Sequence, residues 1–159
     1  MKYFLMKSEV DVFSIDDLAK VPSEPWDGVR NHTAKNIQKS MRPGDLAFFW
    51  GSNTKHPGIM GVIEVVRSAY PDATQFDTKS KYYDKTSDPA DPRWFNVDVK
   101  LRKKLQNPVL LKDLKARKEL EDMPLFKMAR LSVQTVPEDA WQYICREMNN
   151  DELSEFVVE

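Results

Sequence analysis

Cysteine is nearly missing from this chain. The single Cys145 excludes an intrachain disulfide and any cysteine-based zinc site, and it fits a reducing compartment, cytosolic or nuclear. Histidine is almost as scarce, with only His32 and His56, so no metal site is expected. Long apolar runs are absent as well. No stretch approaches the ~18–20 residues that a membrane span requires, and the run at residues 3–6 is too short for a signal peptide. Net charge is also lacking: 24 Lys and Arg against 25 Asp and Glu leave −1, which argues against a uniformly basic nucleic-acid binder. There is no nucleophile elbow, phosphate loop or zinc-ligand spacing. Nothing therefore argues for catalysis, and no cofactor is expected.

What is present suffices for one domain. A chain of 159 residues, 41% of them hydrophobic, buries a core without staples. The expected unit covers residues 1–148, with 149–159 as a tail that is either frayed or docked. Charge is segregated beneath the neutral average. Residues 28–44 hold Arg30, Lys35, Lys39 and Arg42 and no acid, residues 100–118 are strongly basic with Asp113 as their one acid, and the chain beyond Pro137 is acidic. Such blocks read either as one basic face or as ordinary solvated surface.

Apolar periodicity outlines the elements. Residues 3–6 form a short buried strand that runs into Lys7, Ser8 and Glu9. Ser14 with Asp17 three residues on marks a capped helix start. Ala34, Ile37 and Met41 give a helix over about 32–41, with Asn31 placed to cap it. Strands follow at 46–50 and 59–66, joined by a polar loop from Gly51 to Gly58, and Gly61 signals a bulge or a close backbone approach. Residues 67–93, with Tyr82 and Tyr83, read as a long surface excursion, a lid or a partner surface. The next strand starts at Trp94, which the alternation places on its polar side. A basic helix around Leu110 to Leu120, a strand over 129–136 and a helix after Pro137 complete the chain. The last helix carries an apolar stripe that includes Trp141 and Cys145. Strands outnumber parallel crossover units, so the expected fold is α+β, a small mixed or antiparallel pseudo-barrel with inserted helices.

One stretch is too costly for a plain loop. Pro25-Trp26-Asp27-Gly28-Val29-Arg30-Asn31 sets a tryptophan beside a carboxylate, a glycine, a guanidinium and an amide, where Ser, Gly and Asn would serve a turn. It reads as one wall of a pocket. Together with Phe48-Phe49-Trp50-Gly51-Ser52-Asn53, Gly58-Ile59-Met60-Gly61 and Arg130-Leu131-Ser132-Val133-Gln134, it resembles the EVE domain, over nearly the whole chain to about Arg146. The resemblance implies a PUA-like fold related to YTH and ASCH domains. It also implies recognition of nucleic acid bearing a modified base, with modified cytosine in DNA favoured and RNA as a second substrate. By similarity to YTH domains, Lys7-Ser8 matches the pair ending the first strand, Trp26 matches a cage tryptophan, and Trp94 is the counterpart of a second cage aromatic.

The expected chemistry follows. Trp26 offers a stacking face, while Ser8, Asn31, Ser52 and Asn53 offer donors and acceptors to a base edge. Arg30, Lys55, Arg102, Lys103 and Lys104 are phosphate contacts. Arg130 and Ser132 either touch the ligand or complete hydrogen bonds beneath the pocket. Each residue has a plainer role open to it: Trp26 as a loop staple, Asn31 as a helix cap, Ser52 and Asn53 as turn formers, His56 as a surface loop residue. Two other functions stay open. An ASCH-type hydrolase of modified nucleosides would use Lys7, Ser8, Glu9 and Glu64, and an interaction module would use residues 67–93. The expected location is the cytoplasm, on the nucleoid in a bacterium, or the nucleus in a eukaryote.

Overall fold

The computed structural model describes residues 1–148 and 151–158. In its sheet β1 (Tyr3–Glu9) runs parallel to β3 (Leu46–Ser52), which is antiparallel to β4 (Gly58–Pro71). Beyond these lie β5 (Phe95–Leu110), antiparallel to β4, and the two-residue β2 (Glu24–Pro25) on its far side. The short β6 (Val133–Thr135) pairs antiparallel with β1 at the other edge. The order β2-β5-β4-β3-β1-β6 is an open six-stranded mixed sheet. The α+β class is as expected, but the hydrogen-bonded sheet does not close into a barrel. Its edges end in strands too short to meet.

Both faces of the sheet are covered, which is why β1 and β3 read as continuous apolar runs rather than alternating ones. Tyr3, Leu5, Phe48 and Trp50 point to one core, where Trp141 of α5 (Glu138–Glu147) stacks 4.0 Å from Phe48 and 4.5 Å from Tyr3. Phe4, Met6, Ala47 and Phe49 point to the other core, closed by α1 (Ile15–Ala19) and α2 (His32–Ser40). Ser14 and Asp17 form the expected capping box on α1, and the Asn31 side chain accepts the Ala34 N–H at 3.0 Å to cap α2. Cys145 is buried in the first core, and desolvation pushes its thiol up to about 12. It is a packing residue.

Several boundaries move. β4 and β5 run well past their apolar segments because each supplies the other's backbone partners, with register shifts that absorb the mismatch. One shift lies at Gly61, where a side chain would strike the Lys103 carbonyl and Ile15. Leu110 therefore ends a strand, and only α3 (Leu111–Lys115) and a 3-10 turn at Lys118–Leu120 are helical in the basic segment. The expected strand over 129–136 shrinks to β6, preceded by α4 (Pro124–Lys127). Residues 72–93 are not a loose excursion. The fully buried Gln75 side chain donates to the Asp72 and Trp94 carbonyls, both at 2.8 Å, and accepts from Ser87 and the Trp94 N–H. The expected boundary at 148/149 borders residues 149 and 150, which lie outside the described residues. Beyond them the chain docks: Leu153 and Phe156 are buried, and the Phe156 carbonyl accepts the Trp141 indole N–H at 2.9 Å.

Candidate nucleic-acid interface

The apolar run of β1 stops at Met6, and the strand's carboxyl end exposes Lys7, Ser8 and Glu9 beside Trp50 to Ser52 of the parallel β3. Carboxyl ends of adjacent parallel strands are where open sheets form crevices. Two cavities open there, one of about 490 Å³ against Trp26 and one of about 710 Å³ against Trp50, and Lys7, Glu9 and Ser132 line both.

The first cavity is built on the loop that follows β2. The Trp26 N–H donates to the Val97 carbonyl at 2.8 Å, and the indole packs edge-on to Phe49 at 5.6 Å. Its ring N–H has no hydrogen-bond partner among the described residues, although Trp26 is largely buried and lines the cavity. That N–H is not among the buried unpaired polar groups of the described residues, so solvent reaches it. Two residues on, Gly28 adopts φ +81° and lies against the Tyr82 ring. Its N–H donates to Asp72 at 2.9 Å.

Arg30 is not a free phosphate contact. It pairs with the fully buried Asp72 at 3.0 Å, donates twice to the Tyr82 carbonyl at 2.8 and 3.0 Å, and donates once to the Thr74 hydroxyl at 3.0 Å. Burial is the strongest single influence on Asp72 and would raise its carboxyl. The Thr74 hydroxyl, the Gly28 N–H, Arg30 and the Thr74 N–H together outweigh it and hold the carboxyl below its usual value. The Arg30–Asp72 pair thus locks the segment bearing Tyr82 onto the loop bearing Trp26. Between them the side chain of Asp27 borders the cavity. Partial desolvation, then the charges of Asp72 and Glu24, raise the Asp27 carboxyl.

The other expected site residues divide. The Ser8 hydroxyl lines the first cavity and donates to the Phe13 carbonyl at 2.5 Å. Lys7 donates from Nζ to the Ala129 carbonyl at 2.7 Å, and burial lowers its ammonium below the usual lysine value. Ser132 lies in both walls, its carbonyl accepting the Lys7 N–H at 2.8 Å. Ser52 and the exposed Arg130 line the second cavity, so Arg130 completes no buried network beneath the first. Asn53 sits at φ +54° in the turn, and Asn31, besides capping α2, borders a separate shallow groove.

Trp94 corrects the expectation most. It is buried, not exposed, because β5 starts after it and the alternation does not extend back to it. Its indole donates to Asp84 at 2.8 Å and its ring stacks on His32 at 4.7 Å, outside the Trp26 cavity. Hydrogen bonds from the Thr86 hydroxyl and then Trp94 lower the Asp84 carboxyl to about 2. The aromatic residues that share the cavity lining with Trp26 are Phe13 and Tyr82. A tyrosine pair amid polar sequence was the one visible signal for Tyr82; nothing local marked Phe13.

The expected hydrolase set is not assembled. Glu64 lies on β4 in ion pairs with Arg102 and Lys100 and lines neither cavity. The Ser8 hydroxyl proton is committed to a carbonyl. Of the expected phosphate contacts, Arg102, Lys103 and Lys104 pair with Glu64, Glu155 and Asp16. Lys55 borders a small third cavity beside Lys112 and Lys115. No helix among the described residues is long and apolar enough to cross a membrane.

Comparison with known proteins agrees with this geometry. Residues 2–147 match the EVE domain. Thymocyte nuclear protein 1 of Danio rerio is 39% identical over 94% of this chain and 73% of its own length. A hypothetical protein from Leishmania major superposes with a TM-score of 0.89 at 46% identity, over 92% of this chain and 93% of that one. Human THYN1, solved in complex with 5-methylcytosine containing DNA, superposes with a TM-score of 0.88 at 35% identity, over 100% of this chain and 99% of that one. The pattern that four short motifs suggested extends from the first strand through the last helix: this chain belongs to the EVE domain family.

Proposed function

We propose that this chain binds DNA carrying a modified cytosine, taking the base into the Trp26 cavity and reading it without catalysis. The observation that carries the reading is the cavity itself: an indole with a free N–H, flanked by Phe13, Tyr82 and a carboxyl. The complex of the 35% identical human protein with 5-methylcytosine DNA supplies the ligand class.

Extracting a base from its stack costs a few kcal/mol. Stacking on an aromatic face returns roughly 1–3 kcal/mol per base, so Trp26 with one further aromatic wall offsets the extraction. Specificity needs an edge reader as well. Cytosine presents an exocyclic amino donor, and a carboxyl oxygen at the cavity wall accepts from it. Asp27, which lines the cavity, fills that role. Lys7, which lines the cavity, takes the adjoining phosphate. A reader of genomic DNA works in the nucleus of a eukaryotic cell or on the nucleoid of a bacterium.

The test is binding of short DNA and RNA oligonucleotides, unmodified or carrying methylated or hydroxymethylated cytosine or methylated adenine. Wild type, Trp26→Ala, Trp26→Phe and Phe13→Ala are compared, with circular dichroism to verify folding. Affinity that depends on modified cytosine in DNA, falls in Trp26→Ala and is partly kept in Trp26→Phe is the expected result. Equal binding of every oligonucleotide, or of none, sinks the reading.

A further inference from the structure

The second cavity is absorbed by none of this. Its floor is apolar, made by Trp50, Leu111, Leu125 and Phe126, and its rim carries the cations Lys7, Lys115 and Arg130 against the single acid Glu9. Lys115 and Arg130 are exposed, and neither has a carboxylate partner among the described residues. An inorganic anion needs no apolar floor of this extent, and an uncharged apolar ligand needs no cationic rim. A nucleotide has both parts, a flat apolar base and a phosphate. The volume of about 710 Å³ lies within the roughly 300–1,000 Å³ of small-ligand sites.

We infer that this cavity holds the nucleotide next to the extracted one on the same strand, with its base over the apolar floor and its phosphate between Lys115 and Arg130. The assignment of that occupant rests on the base-reading proposal above. Adjacency follows from the shared wall: Lys7, Glu9 and Ser132 face both cavities, so consecutive nucleotides straddle one strand end. The chain then reads a step of two nucleotides rather than one base.

Binding is measured for Lys115→Ala and Arg130→Ala on a modified oligonucleotide over a range of salt concentrations, and for Lys115→Ala on the free modified nucleoside. Each substitution lowers oligonucleotide affinity about fivefold and reduces the slope of log K against log salt by about one. Nucleoside affinity is unchanged in Lys115→Ala. An abasic residue moved along the oligonucleotide weakens binding most when it sits immediately beside the modified cytosine, on one side only. Unchanged oligonucleotide affinity and salt slope in both variants overturn the phosphate contacts, and an abasic scan without such a position overturns the base subsite. Failure of the base-reading proposal looks different: oligonucleotide binding then ignores Trp26→Ala while still responding to Lys115→Ala.

Discussion

Gly28 lies flat against the face of Tyr82: a Cβ on this glycine would stand 2.6 Å from two ring carbons, and its φ of +81° disfavours any side chain. Gly28→Ala therefore carries two separate penalties, backbone strain and ring displacement, together about 1–3 kcal/mol. Urea unfolding should show that loss. In a Tyr82→Ala background the same substitution should cost less, because only the strain remains. An equal cost in both backgrounds would mean that the ring is not held against the glycine.

Asp72 is the keystone beneath that contact. It is fully buried and accepts from Arg30, Gly28 and Thr74, so Asp72→Ala should destabilise by about 3–5 kcal/mol through the unpaired Arg30. The pH dependence has a definite sign. The folded carboxyl titrates below its ordinary value of 3.8, so its stabilisation is complete above that pH and is lost as the pH falls through the lower folded value. Unfolding free energies measured between about pH 2 and 5 should fall more steeply for wild type than for Asp72→Asn.

Asp27 should behave in the opposite way. Its folded carboxyl is raised above 3.8, so folding favours the protonated form, and stability declines as the pH rises from 3.8 through the folded value. Asp27→Asn should leave stability at neutral pH equal or slightly higher while weakening binding of modified cytosine. Wild-type affinity should rise over the same pH window as the accepting carboxylate forms, and Asp27→Asn should abolish that rise. A pH-independent affinity in wild type would remove Asp27 as the edge reader.

The C-terminal segment should prove structural. Phe156 is buried against the core that holds Trp141, and Phe156→Ala should cost about 3–5 kcal/mol. Trp141 fluorescence reports the change, since its indole hydrogen bond ends on the Phe156 carbonyl. Binding at the Trp26 cavity, which is built on the other core, should be intact in the folded fraction.

What the sequence revealed and concealed divides by distance along the chain. The capping box of Ser14 and Asp17 and the Asn31 cap are contacts three residues apart, and both are present as read. Residues 26–31 announced a pocket wall by composition alone, and Trp26 lines a cavity. Arg30 looked free because its partner Asp72 lies 42 positions away in a stretch without apolar periodicity. Trp94 was misplaced because strict alternation assumes a regular ladder, and the β4–β5 pairing shifts register four times. The cations at 102–104 looked free because Glu64, Glu155 and Asp16 meet them only in the folded chain.

The position of β1 has a consequence for how the protein is made. Both its partners, β3 and β6, follow it in the chain. Ser132, which closes both cavities, is positioned only when β6 joins that edge. A chain that stops before Ser132 therefore leaves one edge of the apolar β1 unpaired and lacks a wall residue of both cavities. Contacts of such sequence separation form slowly. Until β6 docks, that edge offers unpaired backbone groups and apolar side chains to other chains.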